Sequence, residues 1–411
     1  MIATPATGND VFVARQPIFD TRLRVFGYEL LFRSGMDNYC AGVSPEVATS
    51  QVISNGMTIG LASLTDGRPA FVNFSRSALV DDFAFLMAPQ EVVVEVLETV
   101  EPDDQVLAAC ERLKKVGYRL ALDDFTERPG YGRLVELADF IKVDVLTTPG
   151  ASRATLPTRY ATGNRHLLAE KVETRDVFAE TAGQGYRYFQ GYFFSRPTIV
   201  ASKALPGYRL NYLRLLRELN RPDVDLRRLE DIVKQDASMT LRILRRVNSA
   251  AYGFRMTTSA LSHALVLLGE REIRVCATVW SLAELARGLP PELVVSSTLR
   301  ARLCELLAEP AGLGDRASDL FLVGMFSMLD AILEQPMEQI VGTLPLADDV
   351  RDALVGGQNP LRGVVDCAVA YERGQWDAVG PLARASGIAE TDLARCYPEA
   401  IAWARGVFEV S

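Results

Sequence analysis

The 411-residue chain contains only two histidines and six cysteines, and that scarcity removes several chemistries at the outset. Cys40, Cys110, Cys276, Cys304, Cys367 and Cys396 lie far apart, with no Cys-x-x-Cys and no histidine at metal-ligand spacing. They read as reduced, mostly buried thiols rather than a zinc site or a disulfide framework, which points to a cytoplasmic protein. No uninterrupted apolar run reaches the roughly 18 residues of a membrane span, so no membrane association is expected. Met1 to Asp10 shows neither a basic n-region nor an apolar h-region, and no secretory signal is expected. Positive charge is also in deficit: 44 Lys and Arg face 52 Asp and Glu, a net charge of −8. That argues against DNA as a partner while leaving room for a local basic site for a phosphate ligand.

What is present is ordinary globular composition, 48% hydrophobic and 23% charged, in a chain long enough for two domains with a core each. The first half alternates strand-like and helix-like stretches. Strands are expected at Val11–Ala14, Val25–Phe32, Ala70–Phe74, Val92–Leu97, Tyr118–Leu122, Phe140–Val143, His166–Ala169 and Tyr188–Phe193. Helices are expected at Pro45–Leu64, Pro102–Val116, Leu134–Ala138 and Thr174–Gly183. Eight strands separated in this way indicate a closed β/α barrel. An open doubly wound sheet is the alternative, weakened by the lack of a glycine-rich phosphate loop after a strand. Beyond Ser195-Arg196-Pro197 the pattern becomes helical. Apolar stripes run through Tyr212, Leu215, Leu216 and Leu219, through Leu241, Leu244 and Val247, and through Leu261, Leu265 and Leu268. The expected division is residues 1–200 as the barrel and 201–411 as an all-α domain.

Charged and amide residues interrupt the apolar runs where a barrel's functional mouth should lie. These are Glu29, Asn73, Glu98, Asp123 with Asp124, Lys142, Glu170 or Glu173, and Gln190. A charge inside a core strand is costly unless it is paired or binds a metal. Hard oxygen donors of this kind suit Mg²⁺ or Mn²⁺ better than zinc. So many carboxylates could hold two such ions, activate a water and neutralise a phosphodiester, with a lysine orienting the water or sharing its proton. Simpler readings stand beside this one. Glu29 could pair with Arg33, and Lys142 with Asp144. Asp123 and Asp124 face opposite ways on a regular strand. Glu95 and Glu98 both face inward only if Glu98 lies beyond the strand end.

Gly27-Tyr28-Glu29-Leu30-Leu31-Phe32-Arg33 resembles the signature of EAL domains, the family that hydrolyses cyclic di-GMP to linear pGpG. Phe71-Val72-Asn73-Phe74-Ser75, Glu95-Val96-Leu97-Glu98, Asp123-Asp124-Phe125, Ile141-Lys142-Val143-Asp144, Ala169-Glu170-Lys171-Val172-Glu173-Thr174 and Gln190-Gly191-Tyr192 follow in that family's order. The resemblance implies a TIM-like (β/α)8 barrel with one antiparallel strand. It implies metal ligation by Glu29, Asn73, Glu98, Asp123 and Asp124, with Lys142 and Glu173 handling the attacking water. It also implies that Arg33 and Gln190 contact the dinucleotide, with Glu170 beside them. Departures are Leu30 for the signature's Ala, Lys171 for a Gly, and Thr126–Gly132 for a Gly-Thr-Gly-Tyr-Ser-Ser type run. The family uses that run to order its metals and, in some members, to form a homodimer.

The second half resembles an HDOD module. The carrying residues are Ile232-Val233-Lys234-Gln235-Asp236, Leu241-Arg242-Ile243-Leu244, Val247-Asn248-Ser249 and His263-Ala264-Leu265-Val266-Leu267-Leu268-Gly269. Such modules are related to HD phosphohydrolases, whose metal site needs several histidines and a His-Asp doublet. Here His166 precedes Leu167 and His263 precedes Ala264. The resemblance therefore implies a non-catalytic module that contacts a protein partner, in an EAL–HDOD arrangement.

Overall fold

A computed structural model of the chain describes residues 12–33, 61–195, 207–220, 225–248 and 260–409. Eight strands close into a barrel in chain order: β1 Phe12–Asp20, β2 Val25–Arg33, β3 Ala70–Phe74, β4 Val92–Val96, β5 Arg119–Leu122, β6 Phe140–Asp144, β7 His166–Glu170 and β8 Tyr188–Gln190. β1 is antiparallel to both β2 and β8, and every other pairing is parallel. The closed barrel with one reversed strand is the expected fold, and the open sheet is excluded. β1 is longer than its apolar run, continuing through Arg15, Gln16 and Pro17 in register with Leu30, Glu29 and Tyr28.

The helix Asp104–Val116 shows how local chemistry sets the elements. Asp103 caps it by accepting from the Gln105 and Val106 amides, and Gly117 ends it at φ +102°. Thr174 likewise caps Arg175–Gln184. The helices Arg76–Val80 and Gly150–Tyr160 escape the pattern reading; the second carries Pro157 within it. Of the expected helix Pro45–Leu64, residues 45–60 lie outside the described residues, and Leu61–Thr65 is helical.

Inside the barrel, Ile18, Phe71, Val93, Ala121, Phe140 and Leu168 form one buried apolar layer. Successive inward positions on a strand are two residues apart. Two residues further on, β3, β4, β6 and β7 therefore present Asn73, Glu95, Lys142 and Glu170, and Asp123 follows directly after β5. A polar layer sits directly on an apolar one.

The remaining described elements are helical. Tyr212, Leu215, Leu216 and Leu219 are buried on Gly207–Leu219 as the spacing predicts. On Ala237–Val247 the buried stripe is Met239, Ile243 and Val247, and Leu241 is exposed. Gly269, at φ +76°, kinks Leu261–Leu285. The chain forms two compact units, one of residues 1–194 with 367–398 and the other of 195–366 with 399–411. The structure thus assigns 367–398 to the barrel's unit, where the sequence pattern groups them with the other helices.

Candidate functional site: a buried lysine among carboxylates

Lys142 on β6 is the centre of the polar layer. It is fully buried, and its ammonium lies 2.8 Å from Glu95 Oε1, 2.8 Å from Asp123 Oδ1, 2.9 Å from Glu170 Oε1 and 3.4 Å from Glu29 Oε2. Gln190 Nε2 donates to Glu29 Oε2 at 2.6 Å and to Gln16 Oε1 at 2.9 Å, and Asn73 Nδ2 donates to Glu29 Oε1 at 3.2 Å. Residues from β1 to β8 are thereby tied into one network. Lys142 and Asp144 do not form a closed pair: Asp144 accepts from Lys171 at 2.5 Å.

The electrostatics follow from one buried cation held among four carboxyl groups. Burial pushes the Glu95 carboxyl well above the usual carboxylate range; Lys142 opposes this, and Glu29 and Asp123 add to it. Burial likewise pushes Glu170 up to about 8, against the pull of Lys142. For Lys142 itself burial works against the charge, but Glu170, Glu29, Glu95 and Asp123 outweigh it and hold the ammonium firmly charged.

Asp123 and Asp124 do not alternate as on a regular strand. Asp124 sits at φ +37°, in the left-handed region that Asp tolerates better than most residues. Both carboxylates line one cavity of about 400 Å³, together with Glu29, Glu170, Glu173 and Gln190. Asp124 is 3.7 Å from Lys171. Burial raises its pKa, with Lys171 opposing and Asp123 reinforcing.

Glu98 is placed elsewhere. It lies past the end of β4 and lines a small pocket with Asp123, Asp124, Arg128 and Tyr131. Its backbone carbonyl accepts from Arg128 Nη1 at 3.1 Å, and Tyr131 donates to Val100 O at 3.2 Å. The variant loop Thr126–Gly132 is therefore tied to this turn. Glu173 is exposed at the cavity edge, while Glu170 touches Lys142. Arg33 ends β2 opposite Phe12, and its side chain lies outside what the structure describes. Glu95 is the residue that spacing could have found: it stands two positions after inward-facing Val93, whereas Glu98 stands five.

The donor types fit a divalent cation. Asn73 Oδ1, Glu95 Oε2, Glu170 Oε2 and Asp124 Oδ1 are buried oxygens without a hydrogen-bond partner among the described residues, and a hard cation binds such oxygens, displacing any proton they carry. Among the described residues, no three His, Cys, Asp or Glu side chains stand in ligating geometry; the carboxylates gather on Lys142 instead.

Residues 4–197 match the EAL domain model and 205–334 the HDOD domain model. YuxH of Bacillus subtilis is 34% identical over 97% of this chain and 99% of its own length. The chain belongs to the EAL–HDOD family. The cyclic di-GMP phosphodiesterase CdgJ of Vibrio cholerae is 33% identical, covering 96% of this chain and 93% of CdgJ. The calcium/cyclic di-GMP complex of Klebsiella pneumoniae BlrP1 matches 48% of this chain and 58% of its own at 24% identity, with a TM-score of 0.40. No helix among the described residues is long and apolar enough to cross a membrane.

Proposed function

We propose that this EAL–HDOD protein acts in cyclic di-GMP signalling and that its barrel hydrolyses cyclic di-GMP to pGpG with Mg²⁺ or Mn²⁺, the helical half serving as a non-catalytic contact for a protein partner. The observation that carries this is the buried Lys142 with Glu29, Glu95, Asp123 and Glu170 around it, beside a cavity roomy enough for part of a nucleotide. Full-length similarity to CdgJ supports the substrate.

In this reading Glu29, Asn73, Glu95, Asp123 and Asp124 hold the metal. When bound, it would supply a nucleophilic water at neutral pH and offset charge on the phosphodiester. Glu95 takes the place that sequence resemblance gives Glu98. Lys142 keeps Asp123 and Glu170 within reach of one point, and its ammonium can donate to an attacking water. Glu170, with its raised pKa, can accept a proton from that water when ionised. Gln190 fixes the Glu29 carboxylate by donating to Oε2. Placing all of these on strand ends keeps the constellation rigid.

A receptor without turnover is the second reading. It is favoured by Lys171, which holds Asp144 at 2.5 Å and lies 3.7 Å from Asp124, setting a cation beside one expected ligand. One assay separates them: incubate the protein with cyclic di-GMP and Mn²⁺ and follow pGpG by chromatography, with binding measured in Ca²⁺. Hydrolysis that vanishes in Glu29→Ala supports the enzyme. Binding without product moves the function to the receptor, and absence of both removes the nucleotide.

A further inference from the structure

The turn after helix Pro360–Glu372 belongs to the barrel's compact unit, yet it lies outside the residues matched by either family model. Arg373 and Gly374 of this turn line the same 400 Å³ cavity as Glu29, Glu170 and Gln190. We propose that Arg373 is a phosphate-binding residue of this cavity, supplied to the barrel by the far end of the same chain. The proposal rests on the cyclic dinucleotide reading above and adds a specific contact to it.

Three observations place the guanidinium for this task. First, the turn is anchored at the backbone. Gln16 Nε2 donates to Arg373 O at 2.8 Å, and Tyr192 donates through its hydroxyl to Glu372 O at 3.2 Å. Gln16 also accepts from Gln190, which donates to Glu29, so a chain of hydrogen bonds runs from the turn to the Lys142 cluster. Gly374 makes the close approach to β2 at φ +62°, where an added Cβ would lie 2.5 Å from Leu31 Cδ1.

Second, the Arg373 guanidinium stacks over the Tyr192 ring at 4.7 Å, which fixes the plane of its donor fork. Its Nε is buried and has no hydrogen-bond partner among the described residues. Third, the other cations at the cavity are already paired. Of the five carboxylates that line it, Glu29, Asp123 and Glu170 lie against the Lys142 ammonium beneath, and Lys171 and Arg373 are the cations of the lining itself. Lys171 is committed to Asp144 and Asp124. Arg373 has no carboxylate partner among the described residues. A guanidinium in an acidic cavity with its donors uncommitted is matched to a bidentate phosphate.

The test uses the full chain with Arg373→Ala, Arg373→Met (which keeps the stem on Tyr192) and Arg373→Lys. Cyclic di-GMP is titrated calorimetrically in Ca²⁺ at several salt concentrations. Loss of a charged hydrogen-bonding partner should weaken binding about 10- to 100-fold in the first two variants. The lysine variant should recover part of that loss, and the salt dependence of affinity should become shallower without the charge. The Mn²⁺-induced rise in melting temperature should stay as in the parent protein, which a merely structural role would not predict. Wild-type affinity in Arg373→Ala and Arg373→Met, with parent binding intact, overturns the proposal alone. A parent protein that binds no cyclic di-GMP overturns the functional reading and this contact with it.

Discussion

At the scale of single residues, the site is a problem of four carboxylates sharing one ammonium. The sign of its pH dependence follows. Glu170 carries a folded-state pKa of about 8 against an ordinary value of 4.5, so the folded protein keeps a proton that the unfolded chain releases. That stabilisation is complete below pH 4.5 and is lost as pH rises through 8. The metal-free protein should melt at a lower temperature at pH 8 than at pH 5, by roughly 2–4 °C per kcal/mol lost, and Glu170→Gln should flatten the profile. An identical slope in that variant would remove Glu170 as the cause. Because metals displace protons from their ligands, Mn²⁺ affinity should rise between pH 6 and 8, which titration at the two pH values checks. Most of this cluster was legible in the sequence, because a polar residue inside an apolar run stands out. The choice between Glu95 and Glu98 is legible only by counting inward positions, two from Val93 against five, which the motif resemblance does not do. Lys142 stands out for that same reason, and the simpler pairing with Asp144 that the sequence also allows is absent in space.

At the scale of elements, the loops after the strands decide which side chains reach the cavity. Asp124 does so through its positive φ, a conformation no alternation rule anticipates. Gly191 shows the same dependence. It sits at φ +144°, and an added Cβ would lie 2.0 Å from Val172 O and 2.5 Å from Val172 N. Those same atoms clasp the loop, Val172 N donating to Gln190 O and Phe193 N donating to Val172 O. Gly191→Ala should therefore cost about 1–3 kcal/mol in thermal melts and displace Gln190 from Glu29. Gly132→Ala, where a Cβ meets open space, should be close to neutral. Equal melting temperatures for the two variants would refute the clasp. Element positions were largely legible from apolar periodicity. The apolar pattern understates β1 because Arg15, Gln16 and Pro17 break its run, although the first two face polar partners. Gly150–Tyr160 escapes the pattern because Pro157 argues against a helix.

At the scale of the whole molecule, the order of residues along the chain is not the order of its compact units. Nothing in the apolar pattern of 367–398 marks it as part of the barrel's unit, since helix periodicity reports that a face is buried and not what buries it. The consequence is testable by hydrogen exchange on the full chain. Cyclic di-GMP binding should slow amide exchange at residues 372–376 as well as around Glu29 and Gln190. Protection confined to the barrel strands would separate the turn from the ligand. The helical half carries no hydrolytic site in this reading. His263 is exposed on its helix, and its substitution by Ala should leave both binding and turnover unchanged.

The physical claim beneath all of this is that the polar layer above Phe71, Val93, Ala121, Phe140 and Leu168 holds a divalent cation. Titration with Mn²⁺, following the electron paramagnetic resonance signal of the free ion, tests it without substrate. Saturable depletion of that signal is expected for the parent protein and for Glu98→Ala, and loss of depletion for Glu29→Ala and Glu95→Ala. A parent protein that leaves the free-ion signal undiminished, or depletion that survives in Glu95→Ala but not in Glu98→Ala, would contradict it.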